Sequence, residues 1–151
     1  TLNLRNVNSL DLSSLDNFNI LVEVDLSENS LIKQNFYRVC KLYNLKTLKL
    51  ANNALTNSDL ENNLICTKFT QLGLLDISFN NFTVIKKYYF DSNQFLQIVN
   101  LSYNKISIIE SNTFFKTYML RILDLRNNQL KIFNTDIIDN RFFTIEGMSL
   151  I

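Results

Sequence analysis

The chain has 151 residues, 46% of them hydrophobic and 19% charged, with a formal net charge of +1. Charges of both signs are spread along it, so it lacks the basic stripe that nucleic-acid or membrane-surface binding requires. It contains no histidine, no proline and two glycines, which removes histidine-activated nucleophiles and the commonest metal ligand and leaves no linker between domains.

In chain order, Leu2, Val7, Leu10 and Leu15 fit the tail of a repeating unit, with Arg5 where later copies carry asparagine. The first complete copy reads Leu21, Val24, Leu26, Asn29, Leu31, and the next Leu45, Leu48, Leu50, Asn53, Leu55. Leu72, Leu75, Ile77, Asn80, Phe82 follow, then Leu96, Val99, Leu101, Asn104, Ile106, then Leu120, Leu123, Leu125, Asn128, Leu130. The asparagines stand 24, 27, 24 and 24 residues apart. Ile145, Met148 and Leu150 open a sixth frame that stops before its asparagine. Self-similarity at this period marks a stacked solenoid. The sequence therefore predicts a single array over 1–151 of about six repeats starting near 21, 45, 72, 96, 120 and 145. Solenoids need polar terminal caps; neither end supplies one, and the chain reads as an uncapped fragment of a longer protein.

Each copy dictates its own local structure. The central apolar-x-apolar triplet alternates in and out like a short parallel strand, which places Leu123 and Leu125 inside and Asp124 outside. The turn that follows buries backbone groups without strand partners, at about 1–3 kcal/mol for each left unsatisfied. A carboxamide donates and accepts, so Asn29, Asn53, Asn80, Asn104 and Asn128 are expected to form a structural ladder serving their own turn and the next. Ile85, Ile109 and Phe133 at the fourteenth position, and Val39, Cys66, Phe90, Phe114 and Ile138 ahead of each new copy, return inward from the convex side as packing. Gln34 and Ser58 depart from that pattern, and three extra residues between Leu45 and Leu72 predict a bulge near 56–66.

Chemistry is sparse. Cys40 directly follows Val39, the position that Cys66 fills one coil later; at a coil spacing of ~4.8 Å both a disulfide and a buried free thiol at Cys66 fit. Asp25, Asp76 and Asp124 share one column, but Lys49 and Asn100 interrupt it, so they read as solvated strand residues rather than paired catalytic acids. No catalytic residue, metal site or cofactor is predicted, and the protein is expected not to be an enzyme. No apolar run approaches the ~20 residues that span a bilayer, so no membrane contact is expected of this segment.

The 24-residue frame, clearest in residues 96–115 and 120–133, resembles the typical extracellular leucine-rich repeat. The resemblance implies an α/β solenoid: a horseshoe with a short parallel concave sheet and an irregular or short-helical convex side. Within that superfamily the chain is similar to Toll-type receptor ectodomains and insect secreted leucine-rich immune proteins. This implies a non-catalytic, extracellular recognition module binding a protein ligand, secreted or in a membrane receptor's ectodomain. Adhesion or matrix proteins and intracellular scaffold modules use the same scaffold.

In such solenoids the concave face binds. Leu74, Ile98 and Ile122 with Phe79 and Tyr103 form one predicted apolar and aromatic patch there, and Asp124 and Arg126 complete the candidate partner-binding set. Asn81 and Asn100 open N-x-[S/T] glycosylation sequons. A glycan on Asn100 would screen the patch, and the patch is the preferred reading.

Overall fold

The computed structural model describes residues 1–7, 13, 15, 18–29, 38–59, 61, 69–132 and 134–138. Leu10, Leu31, Gln34, Cys66, Phe133 and the sixth frame (Ile145, Met148, Leu150) lie outside the described residues. Six short strands stack in parallel: β1 (Leu2–Asn3), β2 (Glu23–Asp25), β3 (Thr47–Lys49), β4 (Leu74–Asp76), β6 (Ile98–Asn100) and β8 (Ile122–Asp124). The smaller parallel pair β5 (Val84–Ile85) and β7 (Ile108–Ile109) follows the turns of two consecutive coils. Single helical turns lie at Val39–Lys41, Asn57–Asp59 and Thr135–Ile137. This is a leucine-rich-type solenoid, a stacked parallel sheet with little helix.

Register follows the apolar frame. Val24, Leu48, Leu75, Val99 and Leu123 lie opposite one another across the sheet and are buried, as are Leu26, Leu50, Ile77, Leu101 and Leu125. Val39, Phe90, Phe114 and Ile138 close the core from the convex side, with Phe90 and Phe114 stacked at 4.9 Å. Ile85 is fully buried and Ile109 only partly.

The first coil corrects one expectation. Leu2 pairs with Val24, so Leu4 occupies the place of Leu26, and the ladder position falls on Val7 rather than Arg5. The backbone N–H of Val7 donates to Asn29 Oδ1 at 2.9 Å. A shift of two residues keeps every apolar side chain on its face, so alternation alone does not distinguish the registers.

A second correction concerns the direction of the amide ladder. Asn104 Nδ2 donates to Leu101 and Ser102 in its own turn and to Ile77 in the preceding coil, while its Oδ1 accepts from Phe82 of that coil. Asn80 bonds likewise to Leu50, Ile77 and Ser78, and accepts from Asn53 and Leu55. Each side chain thus serves its own turn and the one before it. The backbone turns to bring the asparagine over the coil already laid down.

In the longer coil Asn57 supplies a substitute strand. Its Oδ1 accepts from the backbone N–H groups of Thr83 and Val84, and its Nδ2 donates to Val84 O, capping the open edge of β5. Buried Asp59 accepts from Thr56 N and Oγ1, each at 2.7 Å, and fixes that turn.

Candidate functional site

The concave surface is built from two outward columns and the turn after each strand. The backbone has positive φ at Asn6, Glu28, Asn52, Phe79, Tyr103 and Asn127, in each case the residue immediately before the ladder position. This left-handed turn lets the chain leave the strand and bring the asparagine inward. Asn tolerates the conformation, whereas bulky residues are uncommon in it.

The last residue of five of the six stacked strands has a role the sequence reading missed. Asn3, Asp25, Asp76, Asn100 and Asp124 accept, through Oδ1, the backbone N–H two residues on, at 3.0–3.1 Å. Ser78 and Ser102 add their hydroxyls to Asp76 and Asn100, each at 2.7 Å. These are side-chain turns that start the bend, so Asp25, Asp76 and Asp124 are not simply solvated strand residues. The recurrent Asp/Asn-x-Ser at 25–27, 76–78 and 100–102 was the available signal.

Of the nominated residues, Phe79 and Tyr103 meet each other and Arg126 meets Asp124. Phe79 and Tyr103 are 51% and 48% exposed, and their rings stack with centroids 4.2 Å apart and planes within 7°. Two residues before Asp76 and Asn100, Leu74 and Ile98 are half-buried at the starts of their strands and opposite each other in the sheet, and Ile122 beside Ile98 is exposed. Arg126 grips Asp124, with Nη2 2.6 Å from Oδ2 and Nε 3.0 Å from Oδ1. These hydrogen bonds hold the Asp124 carboxyl below the usual carboxylate range, against partial burial, and raise Arg126.

Toward the first strand the surface changes character. A depression of about 480 Å³ is lined by Arg5, Asp25, Glu28, Lys49 and Asp76 as well as Asn52 and Phe79. Arg5 pairs with Glu28 at 2.5 Å, and Lys49 lies 3.9 Å from Glu23. The Arg5 hydrogen bond lowers the Glu28 carboxyl. Phe79 and Asn100 belong to both regions.

Two site residues lie off the patch. Asn81 is half-buried beyond the turn, with its N–H donated to Leu55 O. On the convex side Cys40 is disulfide-bonded; the sequence holds one other cysteine, Cys66, which is outside the described residues.

Leucine-rich repeat family models match residues 70–130 and 119–145. The chain is a leucine-rich repeat protein. Comparison with curated proteins returned no match. Among solved structures, a TLR13–ssRNA13 complex is similar at 32% identity over 75% of this chain and 16% of that one, with a TM-score of 0.60. An internalin of Listeria monocytogenes is 26% identical over 85% of this chain and 34% of its own, with a TM-score of 0.65. A leucine-rich repeat protein of Leptospira interrogans shares the fold at 23% identity over 85% of this chain and 31% of its own, with a TM-score of 0.68. The chain thus spans 16–34% of the length of these three. The repeat is a protein-interaction module and in general a binding scaffold rather than a catalytic one, and this chain resembles Toll-type ectodomains.

Proposed function

We propose that this chain is the ligand-recognition part of an extracellular innate-immune receptor or secreted immune factor, and that its concave sheet binds a protein partner through Phe79 and Tyr103. One observation carries the reading. The turn requires φ near 55°, and three other coils meet it with Asn6, Asn52 or Asn127 and one with Glu28, yet two adjacent coils hold the aromatic residues Phe and Tyr there at φ 52° and 53°. Bulky residues in that region cost about 1–3 kcal/mol each, and these rings are half-exposed and contribute little to the core. Exposed aromatic anchors are the usual form of a binding hot spot.

The similarity to TLR13 supports the receptor reading, and a disulfide at Cys40 fits an oxidising compartment. The RNA in that complex is a property of TLR13. Here Glu23, Asp25, Glu28, Asp76 and Asp124 outnumber Arg5, Lys49 and Arg126 on the concave side, which favours a protein over a polyanion. Of the two sequons Asn81 is favoured for a glycan, because one on Asn100 would screen the depression that it shares with Phe79.

The test replaces both rings by the residue that other coils use. The chain and its Phe79→Asn/Tyr103→Asn and Lys87→Ala variants, the last off the concave sheet, are displayed as secreted fusions and crosslinked to extracellular proteins. Proteins captured by the parent should be lost from the double variant, by about 2 kcal/mol of affinity or more, and kept by Lys87→Ala. Its thermal midpoint should hold, since Asn relieves the strain. Equal capture by all three overturns the concave-face assignment.

A further inference from the structure

We infer that the charged depression beside the aromatic stack is a subsite for a basic side chain, arginine or lysine, of the partner polypeptide, with Asp76 as its counter-ion and Phe79 as its wall. The inference rests on the concave-face reading above and assigns a chemistry to the half of that face that the aromatic patch leaves unexplained.

Charge balance argues first. The whole chain carries +1, but its concave side has five acidic residues against three basic ones, and those basic residues are already engaged. Arg5 is held by Glu28 at 2.5 Å, Arg126 by Asp124 at 2.6 Å, and Lys49 leans toward Glu23 at 3.9 Å. Among the described residues, Asp25 and Asp76 have no ion pair, and Oδ2 of each has no hydrogen bond, since Oδ1 alone serves the turn. They flank Lys49 in register, Asp25 on β2 and Asp76 on β4, and Arg5, although hydrogen-bonded to Glu28, also bears on Asp25 through its charge, which leaves Asp76 the carboxylate with least compensation. Surplus negative charge in a concave, partly walled site attracts a cation more strongly than it would on a convex surface.

The walls then select among cations. The depression of about 480 Å³ has room for a long side chain. Phe79 rises from the same coil as Asp76, three residues on, and its ring is doubled by Tyr103 behind it. A carboxylate beside an aromatic face suits a guanidinium or ammonium, the carboxylate taking its N–H groups and the ring lying against its plane or its methylene stem. Asn52 and Asn100 flank the same volume as neutral side chains, and the Asn100 oxygen is already held by Ser102. An acidic side chain would meet two carboxylates without ion-pair partners, and an aliphatic one would strip water from them without compensation.

The fold itself supplies a variant that separates charge from structure. Asn100 makes on β6 the same two bonds that Asp76 makes on β4, so Asp76→Asn keeps the turn and removes only the charge. The probes are blocked single residues (N-acetyl-arginine amide, N-acetyl-lysine amide and N-acetyl-glutamate amide), titrated at millimolar concentration into the isotope-labelled chain and followed by amide NMR. The expected result is saturable shifts at Asn52, Ser78 and Phe79 with the arginine or lysine probe and none with glutamate. Asp76→Asn should weaken the binding at least about fivefold, and 0.5 M salt should weaken it further. An arginine preference over lysine would assign the wall as a stacking surface, and equal affinities would assign the carboxylate as the dominant contact; either supports the subsite. Absence of saturable shifts, equal shifts with the glutamate probe, or shifts indifferent to Asp76→Asn overturns it. Because the probes need no natural partner, that failure is distinct from capture being unaffected by Phe79→Asn/Tyr103→Asn, which would overturn the concave-face reading instead.

Discussion

The concave sheet divides at β4. Strands β1 to β3 carry most of the charged residues around a depression, and β4, β6 and β8 carry Leu74, Ile98 and Ile122, with two stacked aromatic rings in the turns that follow β4 and β6. The backbone hardly differs between the halves: parallel register is unbroken from Leu2 to Asp124, and positive φ recurs before every ladder position. The inward columns build the scaffold and hold it constant, while the outward columns vary freely because each side chain there meets only its neighbours on adjacent strands. Function in such an array is therefore read across coils, not along them.

The halves also differ in what holds them. The later asparagines step by 24 residues and each accepts a bond from the coil before it, whereas Asn53 Oδ1 is buried with no hydrogen-bond partner among the described residues. The disulfide at Cys40 also belongs to the earlier, less regular half. Closing a loop of the length between the chain's two cysteines is worth about 3.5 kcal/mol in the chain-entropy account. Reduction should therefore cost roughly that much, and unevenly. Hydrogen exchange with and without reductant should show lost protection at Leu48 and Leu50 while Val99 and Leu101 keep theirs, since repeats unfold locally. Uniform loss would mean that the two halves are one cooperative unit.

The ladder gives the next largest effect. Asn104→Ala removes three donated bonds and one accepted bond in a buried turn, and should destabilise by about 2–3 kcal/mol. Asn53→Ala removes three donated bonds and an oxygen with no partner among the described residues, so its cost should be smaller. Exposed Lys105→Ala is the neutral reference. Asn112 is unsuitable for that purpose, because it has a φ of 62° that alanine tolerates poorly. Urea midpoints falling in any order other than Asn104, Asn53, Lys105 would break the link between regularity and ladder strength.

The inward half of this structure was legible because apolar residues and asparagine have one place each: a leucine on the wrong face or an asparagine without buried carbonyls is costly, and the pattern repeats five times. Arg5 was misassigned in the first coil because Leu2 and Leu4 satisfy alternation in either register. The strand-end aspartates read differently from the sequence because a solvated carboxylate and one that starts a turn look alike until the backbone N–H two residues on is in place. The depression was not legible at all. It depends on which of several exposed charges pair, and Arg5 with Glu28 is a contact between coils 23 residues apart.

The smallest effect distinguishes the two ion pairs that flank the face. Arg126 lowers the Asp124 carboxyl chiefly by hydrogen bonding, and Arg5 does the same to Glu28. A carboxylate lowered by folding contributes stability that is complete above its unfolded pKa and is lost as pH falls through the folded value, here below about pH 4. The Asp124 side chain is 17% exposed and the Glu28 side chain 38%, so solvent screens the second pair more. Asp124→Asn should therefore lower stability by up to about 1 kcal/mol at neutral pH, and the difference from the parent should close as pH falls toward 2. Glu28→Gln should show the same sign with a smaller amplitude. Thermal midpoints of the three proteins at pH 7, 4 and 2.5 measure this directly. If the Asp124→Asn difference were independent of pH, the loss would come from the turn that Asp124 shares with the Arg126 N–H rather than from its charge. Both pairs would then count only as surface contacts at the two ends of the same face.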